Sequence, residues 1–202
     1  MQYIYAYETT ASAPASQFQN FLEKSILSVK EQYLYLLLSI REVANFVETD
    51  AKIKAGKHIK NEKDKNFNTK LLSNVIIQYL NNDKEFELEV KNAGVASLLD
   101  DDNIRQLYKK MTDAKEYNEY LTNGLEFNVE EDRAIVTFLL DNILLEDENF
   151  STNMDELFTN WMDDAEFVIE AVHEVIQKSK NQLKLHLEKG NLKDKFKELT
   201  QF

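Results

Sequence analysis

A heptad pattern of apolar residues over 16–48 constrains this chain more than any other feature of its sequence. Two interleaved sets repeat every seven residues there, namely Ile26, Tyr33, Ile40 and Val47 in one and Leu22, Val29, Leu36 and Val43 in the other. Such a seam predicts one helix of about 30 residues, roughly 45 Å long. Leu34, Leu37 and Leu38 widen the apolar stripe in its middle. We therefore expect a helix buried on most sides at the heart of a bundle, with a coiled coil between two chains as the alternative.

Glycine and proline are too scarce for a β-sandwich or barrel. The 202 residues include four Gly and one Pro, whereas all-β folds use both in their many tight turns. The expected fold class is all-α, a multi-helix bundle with a long central helix and helix–turn–helix units in series. Cysteine is absent, which excludes disulfides and thiolate metal sites and agrees with a cytoplasmic location. No apolar run reaches the roughly 18–20 residues of a membrane span, so no membrane contact is expected.

Clusters of acidic residues mark the starts of the later helices. Before them, Asn68 is predicted to cap a helix over 68–80. The clusters end at Asp102, Asp132 and Asp164, which lie 30 and 32 residues apart, and each precedes an amphipathic run. Carboxylates at a helix start accept backbone N–H groups and oppose the helix dipole. The spacing indicates helix–turn–helix units, and we interpret their likeness as shared capping rather than duplication.

The helix after the third cluster carries a pattern that is typical of a metal site. This helix is predicted to run from Asp164 to about residue 180, with Trp161 ahead of it as a hydrophobic staple. Glu170 and His173 have the Glu-x-x-His spacing of di-iron bundle proteins. That chemistry needs a second such pair and two further Glu, and the chain has one pair. We therefore expect Glu170 and His173 to lie on a solvated helix surface. His186 has no carboxylate or second His spaced to share an ion with it, so we expect a structural role for it. No cofactor and no enzymatic activity are expected.

Charge is distributed unevenly along the chain, whose net charge is −12. Residues 51–70 hold seven Lys against two acids, and residues 177–202 hold seven Lys against three. Residues 100–176 hold 21 acids against five Lys or Arg, a balance of −16 that repels nucleic acid. The segment 51–70 has no Arg and one aromatic residue, Phe67, so it is poorly equipped for stacking and base recognition. A solvated loop is the simpler interpretation of its lysines, and RNA contact is the alternative.

The amino-terminal stretch "MQYIYAYE" resembles the start of NusB transcription antitermination factors, where this pattern follows an Arg-rich stretch. Further stretches resemble a long-insert form of that family in the same order, namely "EKSILSVKEQYLYLLLSIREVANFVE", "DKNFNTKLLSN" and "NWMDDAEFVIEAV". The resemblance implies a non-enzymatic factor that binds a short RNA together with the NusE ribosomal protein, in an antitermination complex on the transcribing polymerase. The candidate RNA-binding residues are Gln2 and Tyr5 by this resemblance, and Lys52, Lys54, Lys57 and Lys60 by charge.

The resemblance also implies a division of the chain. Residues 1–50 are expected to form a helical hairpin like the start of NusB, 51–67 a Lys-rich loop that begins with the tail of the long helix, and 68–202 a helical insert packed on the hairpin. The family's Arg-rich arm would precede Met1 and its closing helical half would follow Phe202, so weak RNA binding is expected of this chain alone. The alternative is an all-helical protein-interaction module without an RNA role, and a homo-oligomer is compatible with either.

Overall fold

The computed structural model describes residues 15–55, 68–123 and 128–178, with side chains of the first range described from Glu23 to Lys54. In these ranges eight α-helices follow one another without a strand: α1 (Ala15–Ala55), α2 (Val75–Asn82), α3 (Lys84–Ala93), α4 (Asp101–Asp113), α5 (Lys115–Thr122), α6 (Val129–Phe138), α7 (Glu148–Leu157) and α8 (Trp161–Lys178). Two 3-10 turns, Lys70–Ser73 and Val95–Leu98, and a π-helical stretch, Leu139–Leu144, complete the series. The expected all-α bundle is confirmed. Among the described helices, none has the length and apolar character to cross a bilayer.

Helix α1 lies at the centre of the bundle and contacts α2, α3, α4 and α8. Residues 32–40 are buried without interruption, which spans more than two helical turns and means that neighbours cover every face. The heptad positions from Tyr33 to Val47 are buried within this single chain, as the pattern predicts. Towards the amino terminus of α1 the neighbouring helices cover less of its surface, as the half-buried Val29 and the 56% exposed Leu27 show. The side chain of Leu22 lies outside the described residues.

The long helix continues further than its seam predicts. It ends at Ala55, so the first residues of the expected loop over 51–67 are helical, and 56–67 lie outside the described residues. Asp50 explains the extension, because it accepts a hydrogen bond from the Tyr108 hydroxyl of α4 at 2.8 Å and pairs with Lys54 at 2.7 Å. From Ala15 to residue 50 the chain is one helix, so any hairpin partner belongs to residues 1–14, outside the described range.

The single helix predicted over 68–80 is wrong, because Asn74 divides it. The residues from Lys70 to Ser73 form a 3-10 turn, and α2 starts afresh at Val75. Asn74 has extended backbone angles, and its side-chain oxygen accepts from the N–H of Ile76 at 2.9 Å. Asn68 still caps locally, since its side-chain oxygen accepts from the N–H of Lys70 at 2.7 Å. An asparagine that binds its own downstream backbone in this way ends one helical segment and begins another.

All three acidic clusters lie at helix starts, although the capping residues differ. Asp100 caps α4 by accepting from the N–H of Asp102 at 2.9 Å. Asn128 caps α6 instead, and the acids that follow it fill the first turn. Helix α8 starts at Trp161 rather than Asp164 and is described to Lys178. Trp161 is therefore the first residue of the helix and not a staple ahead of it, although it is buried in the core.

Candidate functional site

The carboxyl end of α1 leads into the Lys-rich segment and carries two of the predicted RNA contacts. Lys52 is exposed at this end. Lys54 is paired with Asp50, and its side chain is 22% exposed. The ring centroids of Phe46 and Tyr108 lie 5.0 Å apart, which fixes this end of α1 against α4. Lys57 and Lys60, like Gln2 and Tyr5, lie outside the described residues.

Lys70 also belongs to the basic segment, but its ammonium group is bound by other residues of the fold. Its ammonium donates to the backbone carbonyls of Tyr120 at 2.7 Å and Asn123 at 2.6 Å, at the carboxyl end of α5. It also lies 4.4 Å from the centroid of the Tyr120 ring, and its side chain is 12% exposed. A cation that satisfies the last carbonyls of a helix opposes the negative end of its dipole. Lys70 therefore holds α5 in place and contributes little to any surface for phosphate.

A buried polar junction joins the start of α2 to α5 and α6. The Asp132 carboxylate accepts from the N–H of Val75 at 2.9 Å and from the Tyr120 hydroxyl at 2.8 Å. The Asn74 side chain donates to the Asp132 carbonyl at 2.9 Å. Burial, together with Asp132, raises the pKa of Tyr120, so the phenol remains a donor. Sequence alone assigns Asp132 only a place at a helix start, since its partners are distant in the chain.

The Glu-x-x-His pair on α8 does not converge on one point. Glu170 is exposed, whereas the His173 Nε2 lies 3.0 Å from a carboxylate oxygen of Asp141 in the π-helical stretch. In the described part of the chain, no group of three or more His, Cys, Asp or Glu side chains is placed to hold a metal ion. His186 lies outside the described residues. The contact of His173 with Asp141 links α8 to the π-helical stretch.

An open cleft of about 380 Å³ lies between α4 and α7, and every residue that lines it is polar: Asp100, Asn103, Gln106, Asn149, Thr152, Asn153 and Glu156. Beneath it, the hydroxyl of the buried Tyr35 lies 3.5 Å from the Asn153 side chain. Lys110 of α4 pairs with Asp147, the cap of α7, beside the cleft. Burial opposes ionisation of Asp147, but hydrogen bonds from Lys110 and the Phe150 N–H lower its pKa. The ion pair links α4 to the start of α7.

Comparisons of the chain with protein-family models, characterised proteins and solved structures find no match. The described helices alone define the class of the protein, which is an all-α helical bundle.

Proposed function

We propose for the chain a role in transcription antitermination like that of NusB factors, in which RNA is bound together with a NusE-type ribosomal protein and no catalysis is performed. One observation supports this more than any other: stretches that resemble the family at distant places in the sequence touch in the fold. The wholly buried Gln32, from the second stretch, donates to the carboxylate of Asp164, from the last, at 3.3 Å. The two stretches are separated by more than a hundred residues.

The third stretch belongs to the same core. The 3-10 turn at Lys70–Ser73 contacts α1, and Leu71 within it is fully buried. Helix α8, which contains most of the last stretch, packs on α1 as well. Stretches that share a family pattern are expected to share a core when they form one functional unit, and this packing supports the proposal.

Charge restricts where RNA can bind. The acidic balance of −16 over 100–176 belongs mostly to α4 through α8, and these surfaces repel phosphate. Lys52 is exposed where α1 enters the Lys-rich segment, so this end of the molecule is the expected phosphate contact. Because Lys54 and Lys70 have partners within the fold, the electrostatic contribution is smaller than the lysine count suggests.

The proposal is tested by fluorescence anisotropy with a labelled RNA that carries a short antitermination element, with and without a NusE-type ribosomal protein. At about 150 mM salt, the chain alone is expected to bind the RNA weakly, and the ribosomal protein is expected to increase the affinity. Nanomolar binding by the chain alone contradicts the expected weakness. Failure to bind the RNA and the ribosomal protein in any combination rules out the antitermination role.

Lysine variants locate the contact. Lys52→Gln is expected to reduce the slope of log affinity against log salt by about one. Lys109→Gln is the matched control, because Lys109 is an exposed lysine of α4 within the acidic region. Equal effects of the two substitutions would show that binding depends on total charge and not on the end of α1.

A second candidate function, an all-helical protein-interaction module without an RNA role, is favoured by apolar side chains exposed on α8. Met162 is 82% exposed and Phe167 is 41% exposed, on a helix whose outer face is acidic. We infer that these two side chains would make the apolar contacts of such a module with its partner. On this hypothesis Met162→Ala with Phe167→Ala abolishes partner binding, and no RNA is bound at any salt concentration.

A further inference from the structure

We propose that Gln32 of α1 and Asp164 of α8 form a proton-dependent latch, which closes when Asp164 binds a proton and donates it to the side-chain oxygen of Gln32. Such a latch holds the amino end of α8 on the central helix more tightly at acidic pH. The inference is independent of the RNA role, because neither residue belongs to the Lys-bearing end of α1.

The side chain of Gln32 is wholly buried, and its oxygen lacks a donor. Both protons of its nitrogen are used, since the nitrogen donates to the Ser28 hydroxyl at 3.2 Å and to the Asp164 carboxylate at 3.3 Å. The oxygen receives no hydrogen bond from the described residues. A buried acceptor without a donor is unfavourable, so the contact is completed by a group that can donate to this oxygen.

Protonation gives Asp164 the donor that Gln32 lacks. An ionised carboxylate has only acceptors, whereas a protonated one has an O–H donor and keeps an acceptor. The protonated side chain can therefore accept from the nitrogen of Gln32 and donate to its oxygen at the same time, as a carboxylic acid and an amide do when they pair. The second bond joins two groups that are already neighbours, because the first bond exists in the fold.

The surroundings of Asp164 favour proton uptake. Burial raises the pKa of Asp164, the bond from Gln32 opposes the rise, and the neighbouring Asp163 adds to it. In the described part of the chain no cation contributes to this pKa, and neither does a charged group of α6 or α7, which also pack on α8. A group whose pKa is raised on folding stabilises the fold as the pH falls through its folded pKa, and the gain is complete below its ordinary value, here 3.8.

Hydrogen exchange of the full chain, followed by NMR, tests the latch at the backbone amide of Val168, a buried residue one turn after Asp164. The protection factor corrects for the intrinsic pH dependence of exchange. It is expected to rise about fivefold in the parent between about pH 7 and about pH 4, because one hydrogen bond is added to the contact. Asp164→Asn has a donor at every pH. Its protection at pH 7 should equal that of the parent at pH 4 and should change with pH by less than about twofold.

Gln32→Met removes the acceptor and keeps a side chain of similar length, so the rise in protection should be lost although Asp164 still titrates. Asp163→Asn is the matched control, because Asp163 is exposed on the same turn and both partners of the latch remain. This control should keep the rise, at a slightly lower pH.

The proposal is overturned if the parent shows no rise in protection, or if Gln32→Met retains it, since burial of Asp164 alone would then account for the effect. If Gln32→Met does not fold, Asp164→Asn decides the matter. Protection of Val168 in that variant no higher at pH 7 than in the parent would overturn the latch, and protection that is raised and insensitive to pH would support it.

Discussion

Gln32 is fully buried next to an apolar run in α1, and of its side-chain amide only the nitrogen has hydrogen-bond partners among the described residues. Its nitrogen donates to the Ser28 hydroxyl at 3.2 Å and to the Asp164 carboxylate at 3.3 Å. Its oxygen receives no hydrogen bond from the described residues. Burial raises the pKa of Asp164, the bond from Gln32 opposes this, and the neighbouring Asp163 adds to it. Ionisation of Asp164 is therefore less favourable in the folded protein than in the unfolded chain.

Asp164→Asn is accordingly expected to stabilise the protein by about 1 kcal/mol near pH 7, because an amide at this position can donate to the Gln32 oxygen. A carboxylate whose pKa is raised on folding destabilises the fold above that pKa. The advantage of the variant should therefore be full at neutral pH and shrink as the pH falls through the raised folded pKa of Asp164 towards its ordinary value of 3.8. Urea denaturation across this range measures it.

Asp163→Asn serves as the control, since Asp163 is exposed on the same turn. It should change the free energy of unfolding by less than about 0.5 kcal/mol. A destabilised Asp164→Asn variant would show that Gln32 needs the charge as its partner. The sequence predicts that a helix starts at Asp164, whereas α8 starts three residues earlier, at Trp161. It gives no sign of the contact with Gln32, because that contact depends on how α8 crosses α1.

At the scale of elements, Asn74 decides how the segment after the basic region folds. The apolar spacing of Leu71, Leu72, Val75, Ile76 and Tyr79 suits a single helix, which is why the sequence predicts one. The side chain of Asn74 overrides this pattern by capping α2 and donating to the Asp132 carbonyl. Periodicity locates apolar faces well, whereas a break inside a continuous face depends on a tertiary partner that the pattern does not contain.

Asn74→Ala is expected to lower the free energy of unfolding by about 2–3 kcal/mol, because it removes both a cap and a buried interhelical hydrogen bond. Asn128→Ala is the matched comparison, since Asn128 caps α6 from an exposed position and should cost about 1 kcal/mol. Chemical denaturation of both variants measures the difference. Equal losses would mean that the bond from Asn74 to Asp132 adds nothing beyond the cap.

At the scale of the whole molecule, composition and one periodic segment are enough to predict the architecture. Few Gly and Pro with a heptad seam indicate a helical bundle around one long helix, and the fold agrees. The cleft between α4 and α7 could not be predicted in this way. Its residues Asp100 and Glu156 belong to helices separated in the chain, and each is an ordinary exposed polar residue until the antiparallel packing brings the two helices together.

The central position of α1 makes a prediction about cooperativity. Leu36 is fully buried where α1 is covered on every face, whereas Leu27 is 56% exposed nearer its amino terminus. Leu36→Ala should lower the free energy of unfolding by about 2–5 kcal/mol, and Leu27→Ala should change it by less than about 0.5 kcal/mol. Because α2, α3, α4 and α8 all contact α1, the loss at Leu36 should weaken the whole bundle at once.

Far-ultraviolet circular dichroism reports all the helices, and the fluorescence of Trp161, the single tryptophan, reports the start of α8. The two signals should change at the same urea concentration in the parent and in the Leu36→Ala variant. Separate transitions would show that α8 unfolds on its own, and α1 would then not be the common core of the molecule.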